Sequence, residues 1–149
     1  MINVTPDRVI VEARKFLNVG FCHRGRSVLG LDCLGLEIVS FKKCGIIIPS
    51  DDGLAYNPQW WRGKEERLHN HLLKYDFEEV LFPKRGDVIT FKIFGLNFPA
   101  HHCGIYLSED CIIHTWGSGP LIGRKTKVDN LGPSFKRRIG SYFRYKGYI

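Results

Sequence analysis

The sequence predicts an α+β fold in which N-terminal helices pack on a mostly antiparallel sheet, and two observations lead to this prediction. In the first half of the chain, apolar residues recur at intervals of three and four, which is the period of an amphipathic helix. The second half contains short segments rich in β-branched and aromatic residues, with turn-forming residues between them. Helices followed by a series of strands are typical of α+β proteins, whereas α/β proteins alternate the two.

The first helix is expected to begin at Pro6, because the hydroxyl of Thr5 can cap a helix and proline suits the first helical position. Gly20 is suited to end this helix. The apolar residues at helical spacing between these ends are Val9, Ala13, Phe16 and Leu17. Residues 21–31 then read as a loop.

A second helix is expected to start near Cys33 and to stop at Gly45, with two lysines in its last turn, where cations favour the helix dipole. The apolar residues on one face of this helix are Leu34, Ile38 and Phe41. A third helix is expected over about residues 63–75, from the spacing of Leu68, Leu72 and Tyr75.

Strands are expected in the second half of the chain. Residues 108–111, "SEDC", read as the hairpin turn between two of these strands. The predicted strand segments are "DVITFKIF", "HHCGIYL", "CIIHTW" and "SYFRYK", which begin at residues 87, 101, 111 and 141.

The 149 residues suit a single domain spanning residues 1–149, with 44% hydrophobic and 25% charged residues. No apolar run is long enough to span a membrane, and the N-terminal residues lack the apolar core of a signal peptide. We therefore expect synthesis in the cytoplasm without an export signal. Five cysteines without tight pairs favour free thiols over a disulfide framework.

The net charge is +7, and the C-terminal part of the chain is strongly basic. A surface of this kind favours a polyanionic partner, although a solvated face without a partner has the same composition. The basic residues concerned are Arg124, Lys125, Lys127, Lys136, Arg137, Arg138, Arg144 and Lys146.

Cys33 follows Asp32 directly, at the expected start of the second helix. A helix N-terminus favours the thiolate, and a thiolate nucleophile also needs a base and usually a third group that orients the base. We expect His102 to face Cys33, and His114 on the neighbouring strand to hold the other nitrogen of His102. His101 is the alternative base, and period-two alternation allows only one of the two adjacent histidines to face Cys33.

Cysteine and histidine are also zinc ligands, so a zinc site is an alternative for four residues of this region. Alternation along each strand disfavours it, because neighbouring candidate ligands would point to opposite faces. The four residues are His102, Cys103, Cys111 and His114. Three tryptophans, Trp60, Trp61 and Trp116, are candidates either for a peptide groove or for the core.

Four motifs in order, "DCLGL", "RGDVITF", "HHCGIYL" and "IIHTW", resemble the NlpC family of papain-like cell-wall cysteine peptidases. The resemblance covers nearly the whole chain. The segments "HTWGSG" and "KRRIGSYFRY" are similar to the branch found in phage tails and gene transfer agents. The implied fold is a papain-like NlpC-type domain.

The resemblance implies that Cys33 is the nucleophile, His102 the general base and His114 the orienting residue. Asp32 matches the family's aspartate before the cysteine and is a candidate for contact with the substrate or the oxyanion. His23 lies in the loop where many members have a tyrosine that assists the oxyanion, and it is the candidate replacement. The implied reaction is hydrolysis of an amide bond in the peptidoglycan stem peptide, between γ-D-glutamate and the diamino acid, without a metal or cofactor.

The resemblance further implies delivery to the cell wall as part of a phage-like particle, with tail proteins as partners and no nucleic acid. Two alternatives remain at this stage. One is a catalytically inactive protein of the tail tip that keeps the fold, and the other is a thiol acyltransferase or amidase on another substrate, since the same triad serves several acyl transfers.

Overall fold

A six-stranded antiparallel sheet forms the centre of the computed structural model, which describes residues 1–49 and 63–149. The helices are α1 (Pro6–Arg14), α2 (Cys33–Lys43), α3 (Arg67–Lys74) and α4 (Pro133–Lys136), with a 3-10 turn at Leu121–Gly123. The strands are β1 (Arg26–Ser27), β2 (Gly30–Leu31), β3 (Phe77–Val80), β4 (Val88–Phe91), β5 (His102–Ser108), β6 (Cys111–Thr115), β7 (Thr126–Asn130) and β8 (Ile139–Tyr145).

The strand order in the large sheet is β3-β8-β4-β5-β6-β7, and β1 and β2 form a separate small hairpin. The α+β fold and the antiparallel sheet confirm the prediction from the sequence. The turn between β5 and β6 also forms as expected, with Glu109 and Asp110 at φ values of 47° and 60°. The sequence did not predict β3 and β7, the two edges of the sheet, because edge strands tolerate the charged residues that interrupt their apolar pattern.

Helices α1 and α2 begin as predicted, whereas α3 begins at Arg67 and not at about residue 63, and α1 ends early. The Oγ1 atom of Thr5 accepts a hydrogen bond from the backbone N–H of Arg8 at 3.2 Å, which caps α1. The predicted end at Gly20 is wrong, because residues 18 and 19 hydrogen-bond to the backbone of Thr126 in β7 at 2.9 and 2.8 Å, and this pairing draws the chain out of the helix. In α2, Gly45 adopts a φ of 83° just past the helix, as expected for a C-terminal stop.

The sheet has two buried faces with different roles. One face, which includes Ile105 and Phe143, packs against α1, α2 and α3, and Phe41 of α2 lies in the same core. The other is smaller and includes Phe91 and Ile112, with Phe135 of the C-terminal helix packed against it. Because side chains alternate along a strand, β5 sends successive residues to these two different faces.

All five cysteines carry free thiols. Among the described residues, no helix combines the length and the apolar character needed to cross a membrane.

Candidate active site

Asp32 holds the first turn of α2 in place. Its Oδ1 accepts hydrogen bonds from the backbone N–H of Gly35 at 2.7 Å and from Arg26 Nη1 at 2.8 Å, and its Oδ2 accepts from the backbone N–H of Arg24 at 3.0 Å. The carboxylate therefore joins the preceding loop to the helix start. With three donors, Asp32 has a structural role in fixing the loop to the helix, and this role was not predicted from the sequence.

Gly35 allows the same loop to approach the helix closely. A Cβ at this position would collide with the carbonyl oxygen of Gly25, which is backbone and cannot move aside easily. The glycine of "DCLGL" is therefore explained by packing: the loop that carries Arg24 and Arg26 reaches Asp32 only because residue 35 has no side chain.

Cys33 is the first residue of α2, and its thiol is half-buried. The Sγ atom donates a hydrogen bond to the carbonyl oxygen of His101, at 3.7 Å. This carbonyl belongs to the peptide bond that leads into His102. The thiol therefore lies beside the first residue of β5.

His102 and His114 are joined by a hydrogen bond between Nε2 and Nδ1 at 2.8 Å. The Nε2 atom of His114 continues the chain to Oδ2 of Asp129 on β7, at 2.7 Å. Both imidazoles are almost fully buried, whereas the side chain of Asp129 is 37% exposed. The structure thus brings together the two predicted histidines and adds a carboxylate behind them.

The order of acceptors along this chain sets the tautomers. The hydrogen bond from His114 lowers the pKa of Asp129, so the carboxylate is ionised and accepts the proton on His114 Nε2. The Nδ1 of His114 is then an acceptor, and Nε2 of His102 must donate to it. Burial, together with the neighbouring imidazoles, lowers the pKa of His102 well below its ordinary value. The result is a neutral His102 with a free lone pair on Nδ1, which is the form a general base needs.

Aromatic rings enclose the histidine pair. Trp116 meets the ring of His102 edge-on, with centroids 5.2 Å apart, and Phe91 lies 5.7 Å from it. Phe135 packs on Trp116 at 5.6 Å. Trp116 therefore serves to hold the histidines, while Trp60 and Trp61 lie outside the described residues.

Gly104 leaves room for this arrangement. A Cβ at residue 104 would lie 3.1 Å from the Cβ of His114 and 3.2 Å from the carbonyl oxygen of Ile113. These contacts are tighter than side chains normally make, so the glycine of "HHCGIYL" lets β5 and β6 bring the histidines close.

His101, the alternative base, is held by other partners. Its Nδ1 contacts the carbonyl oxygen of Pro99 at 2.6 Å, and its ring stacks on Phe94 with centroids 4.3 Å apart. Burial lowers the pKa of its imidazole. The contact of this residue with Cys33 is made through its backbone carbonyl.

The side chain of His102 does not point toward α2, the helix that carries Cys33. Cys103 points to α2, where its Sγ donates to Oε2 of Glu37 at 3.3 Å, and His102 points to the other face of the sheet with His114. In the described part of the chain, Cys33 Sγ makes no hydrogen bond to the imidazole of His102. Catalytic hydrogen bonds are often long or poorly aligned before substrate binds, so a role of His102 as base requires its imidazole to come within reach of Cys33 Sγ in the substrate complex.

Two further predictions concern His23 and the four candidate zinc ligands. His23 is half-buried and directly precedes Arg24, whose N–H binds Asp32, so its part in an oxyanion site stays a prediction. Within residues 1–49 and 63–149, no three His, Cys, Asp or Glu side chains are grouped so that they could hold a metal ion. The four zinc candidates are divided because Cys103 faces Glu37 and not His102.

Glu37 lies one helical turn after Cys33 and is completely buried. Removal from water raises the pKa of its carboxyl group to about 8, and the hydrogen bond from Cys103 opposes this rise only in part. Glu37 is therefore protonated in the folded protein at neutral pH. No motif in the sequence marks Glu37 as a buried acid.

We expect the free energy of unfolding to fall as pH rises from 4.5 to 8, because the unfolded chain releases the proton of Glu37 near pH 4.5 and the folded chain keeps it until about pH 8. The contribution is fully present below pH 4.5 and reaches about 5 kcal/mol at most. Glu37→Gln cannot ionise and should flatten this dependence, whereas Glu79→Gln, at an exposed site, should not. Urea unfolding across this pH range tests it, and parallel curves for parent and Glu37→Gln would contradict it.

The model of the NlpC/P60 family matches residues 18–129, which include the thiol, both histidines and Asp129. The chain belongs to the NlpC/P60 family. No curated protein is significantly similar to it in sequence. Membership in the family does not test whether this NlpC/P60 domain belongs to the phage-tail branch, so that assignment stays a prediction.

Solved structures show the same fold. An NlpC/P60 family protein from Bacillus cereus ATCC 10987 superimposes with a TM-score of 0.68 at 23% identity, covering 96% of this chain and 41% of that protein. The NlpC/p60 domain of the peptidoglycan hydrolase SagA has a TM-score of 0.61 at 20% identity, covering 95% and 99%. The P60 domain of an antigen from Mycobacterium avium subspecies paratuberculosis has a TM-score of 0.61 at 18% identity, covering 95% and 93%.

Proposed function

We propose that this NlpC/P60 domain is a cysteine endopeptidase that hydrolyses an amide bond in the stem peptide of peptidoglycan. The observation that carries the proposal is the hydrogen-bonded chain of His102, His114 and Asp129. This chain starts at the first residue of β5, and the thiol of Cys33 contacts the backbone directly before that residue. A thiol, a neutral imidazole and an orienting group are the parts that acyl transfer through a cysteine requires. The structurally similar SagA domain comes from a peptidoglycan hydrolase.

In this mechanism Nδ1 of His102 takes the thiol proton of Cys33, and the thiolate attacks the scissile carbonyl carbon. Backbone N–H groups at the start of α2 are proposed to receive the oxyanion, because the first N–H groups of a helix have no acceptor within the helix. The imidazolium of His102 then protonates the leaving amine. Water, deprotonated by the same imidazole, hydrolyses the thioester and regenerates the thiol.

His114 and Asp129 stabilise the imidazolium that forms between these steps. His114 accepts from Nε2 of His102, and the negative charge of Asp129 lies behind it. Trp116 and Phe91 cover the ring of His102, which limits its contact with water. Every step uses groups of the chain itself, so the proposal requires no metal or organic cofactor.

We place the cleavage between γ-D-glutamate and the diamino acid, as the resemblance to NlpC peptidases implies. The proposal does not include recognition of a free peptide N-terminus. Leu34 stands where members with that preference have a serine, and the carboxylate of Asp32 already accepts from three donors. The domain is therefore proposed to act within longer stem peptides as well as at their ends.

Delivery in a phage-like particle, with tail proteins as partners, is a separate part of the proposal and is supported by the resemblance of "HTWGSG" and "KRRIGSYFRY" to the tail branch. The basic C-terminal region is partly neutralised by ion pairs of Lys127, Lys136 and Arg144 with carboxylates. Its remaining charge suits an anionic wall or an acidic tail protein.

The reaction is tested by incubating the protein with purified sacculi and identifying the released muropeptides by mass spectrometry. We expect fragments with a new γ-D-glutamyl carboxyl group and a new amine on the diamino acid. Products joined to an added amine in place of water would identify an acyltransferase. Unchanged sacculi, with a folded protein, would favour a binding protein that has lost activity.

A further inference from the structure

We propose that Asp129 is a positioning residue that selects the tautomer of both active-site histidines, an inference that rests on the proposed role of His102 as base. No motif in the sequence points to it. It reaches the site because β7 pairs with β6, with Asp129 opposite Ile112 and Lys127 opposite His114. Its Oδ2 lies 2.7 Å from Nε2 of His114.

The imidazoles of His102 and His114 share one proton in their hydrogen bond. Between His102 Nε2 and His114 Nδ1, one nitrogen donates and the other accepts, and the 2.8 Å distance is the same either way. If His114 donates from Nδ1, a neutral His102 carries its proton on Nδ1 and cannot take one from a thiol. If His102 donates from Nε2, its Nδ1 is the free base.

Asp129 decides between these states because a carboxylate can only accept. It holds a proton on Nε2 of His114, so a neutral His114 has none on Nδ1 and must accept from His102. Lys127 lies 3.7 Å from the same carboxylate oxygen and supports its ionised form. The charged and titratable groups that act on this chain include Lys127 on β7 and His101, which precedes β5.

Asp129→Asn is the informative substitution. It keeps the size of the side chain, but the amide both donates and accepts, so either tautomer of His114 can be bound. The matched control is Asp110→Asn, which removes an equally charged carboxylate from an exposed ion pair with Lys136 and does not touch the histidines.

The experiment is ¹⁵N NMR of the histidine side chains at neutral pH, in the parent and both variants, with amide spectra to show that each is folded. In the parent and in Asp110→Asn, His102 should be protonated on Nε2 alone. In Asp129→Asn, a measurable fraction should carry the proton on Nδ1. Histidine spectra of Asp129→Asn that match the parent would overturn the proposal.

Kinetics supply the second readout. Asp129→Asn should lower kcat about 10- to 100-fold with KM nearly unchanged, less than the ~10⁴-fold loss known when a buried triad aspartate is neutralised, because Asp129 is partly exposed and acts through His114. A parent that hydrolyses no peptidoglycan but shows the tautomer change would refute the proposed function and leave the role of Asp129 standing. A parent that hydrolyses it, with kcat unchanged in Asp129→Asn, would refute the role of Asp129 alone.

Discussion

Cys33→Ala should abolish hydrolysis of peptidoglycan peptides while the protein stays folded, with kcat reduced at least about 10³-fold. A cysteine peptidase without its nucleophile keeps only the small contribution of substrate binding and oxyanion donors. The thiol donates a weak hydrogen bond to the carbonyl oxygen of His101 and interacts with the thiol of Cys103, and because both contacts are weak their loss should change the free energy of unfolding little. Muropeptide release, normalised to folded protein, is the measurement.

Cys44→Ala is the matched control, because Cys44 lies at the other end of α2 and should be dispensable for turnover. Burial raises the pKa of the Cys44 and Cys103 thiols, so neither should react quickly with iodoacetamide. Peptide mapping after brief labelling should find Cys33 ahead of both. Substantial turnover by Cys33→Ala would exclude Cys33 as the nucleophile, and the active site would have to be sought elsewhere in the protein.

The second large effect concerns the base. We expect His102→Ala to lose nearly all turnover, about 10³-fold or more, since no other imidazole is hydrogen-bonded to His114 among the described residues. His101→Ala should keep most of its activity, because its contact with Cys33 is made by the backbone that alanine retains. His114→Ala should fall between the two.

Initial rates on a purified stem peptide, with circular dichroism to show that each variant is folded, test this order. His101 also stacks on Phe94, so a loss of stability in His101→Ala is compatible with the prediction, whereas a loss of kcat is not. If His101→Ala is inactive and His102→Ala is active, the base is His101 and the assignment of His102 is wrong.

That two adjacent strands bring His102 and His114 near each other could be predicted from the sequence, because the hairpin turn at Glu109 and Asp110 is a local feature. Their shared face could not be predicted: the turn pairs Ser108 with Cys111, and alternation from that pair alone would put His114 on the face of His101. A register shift between Tyr106 and Ser108 puts His114 on the face of His102, as its diagonal neighbour. The start of α2 at Cys33 was equally predictable, since Asp32 is a strong N-cap residue.

Features that depend on distant pairing could not be predicted. Asp129 was hidden because β7 has an edge-strand sequence with little apolar alternation, and only its pairing with β6 brings the carboxylate to His114. The buried contact of Glu37 with Cys103 joins residues 66 positions apart. The early end of α1 likewise results from hydrogen bonds to Thr126, far along the chain.

The division of the site between two layers has an evolutionary consequence. The histidine chain is packed among aromatic side chains on one face of the sheet, whereas Cys33 is half-buried at the first turn of α2, at the margin of the core on the other face. If Cys33 has the proposed role, one substitution at that helix end would remove catalysis and leave the two packed layers in place. A lineage with this architecture could then keep the domain as a binding module after losing its activity in a single step.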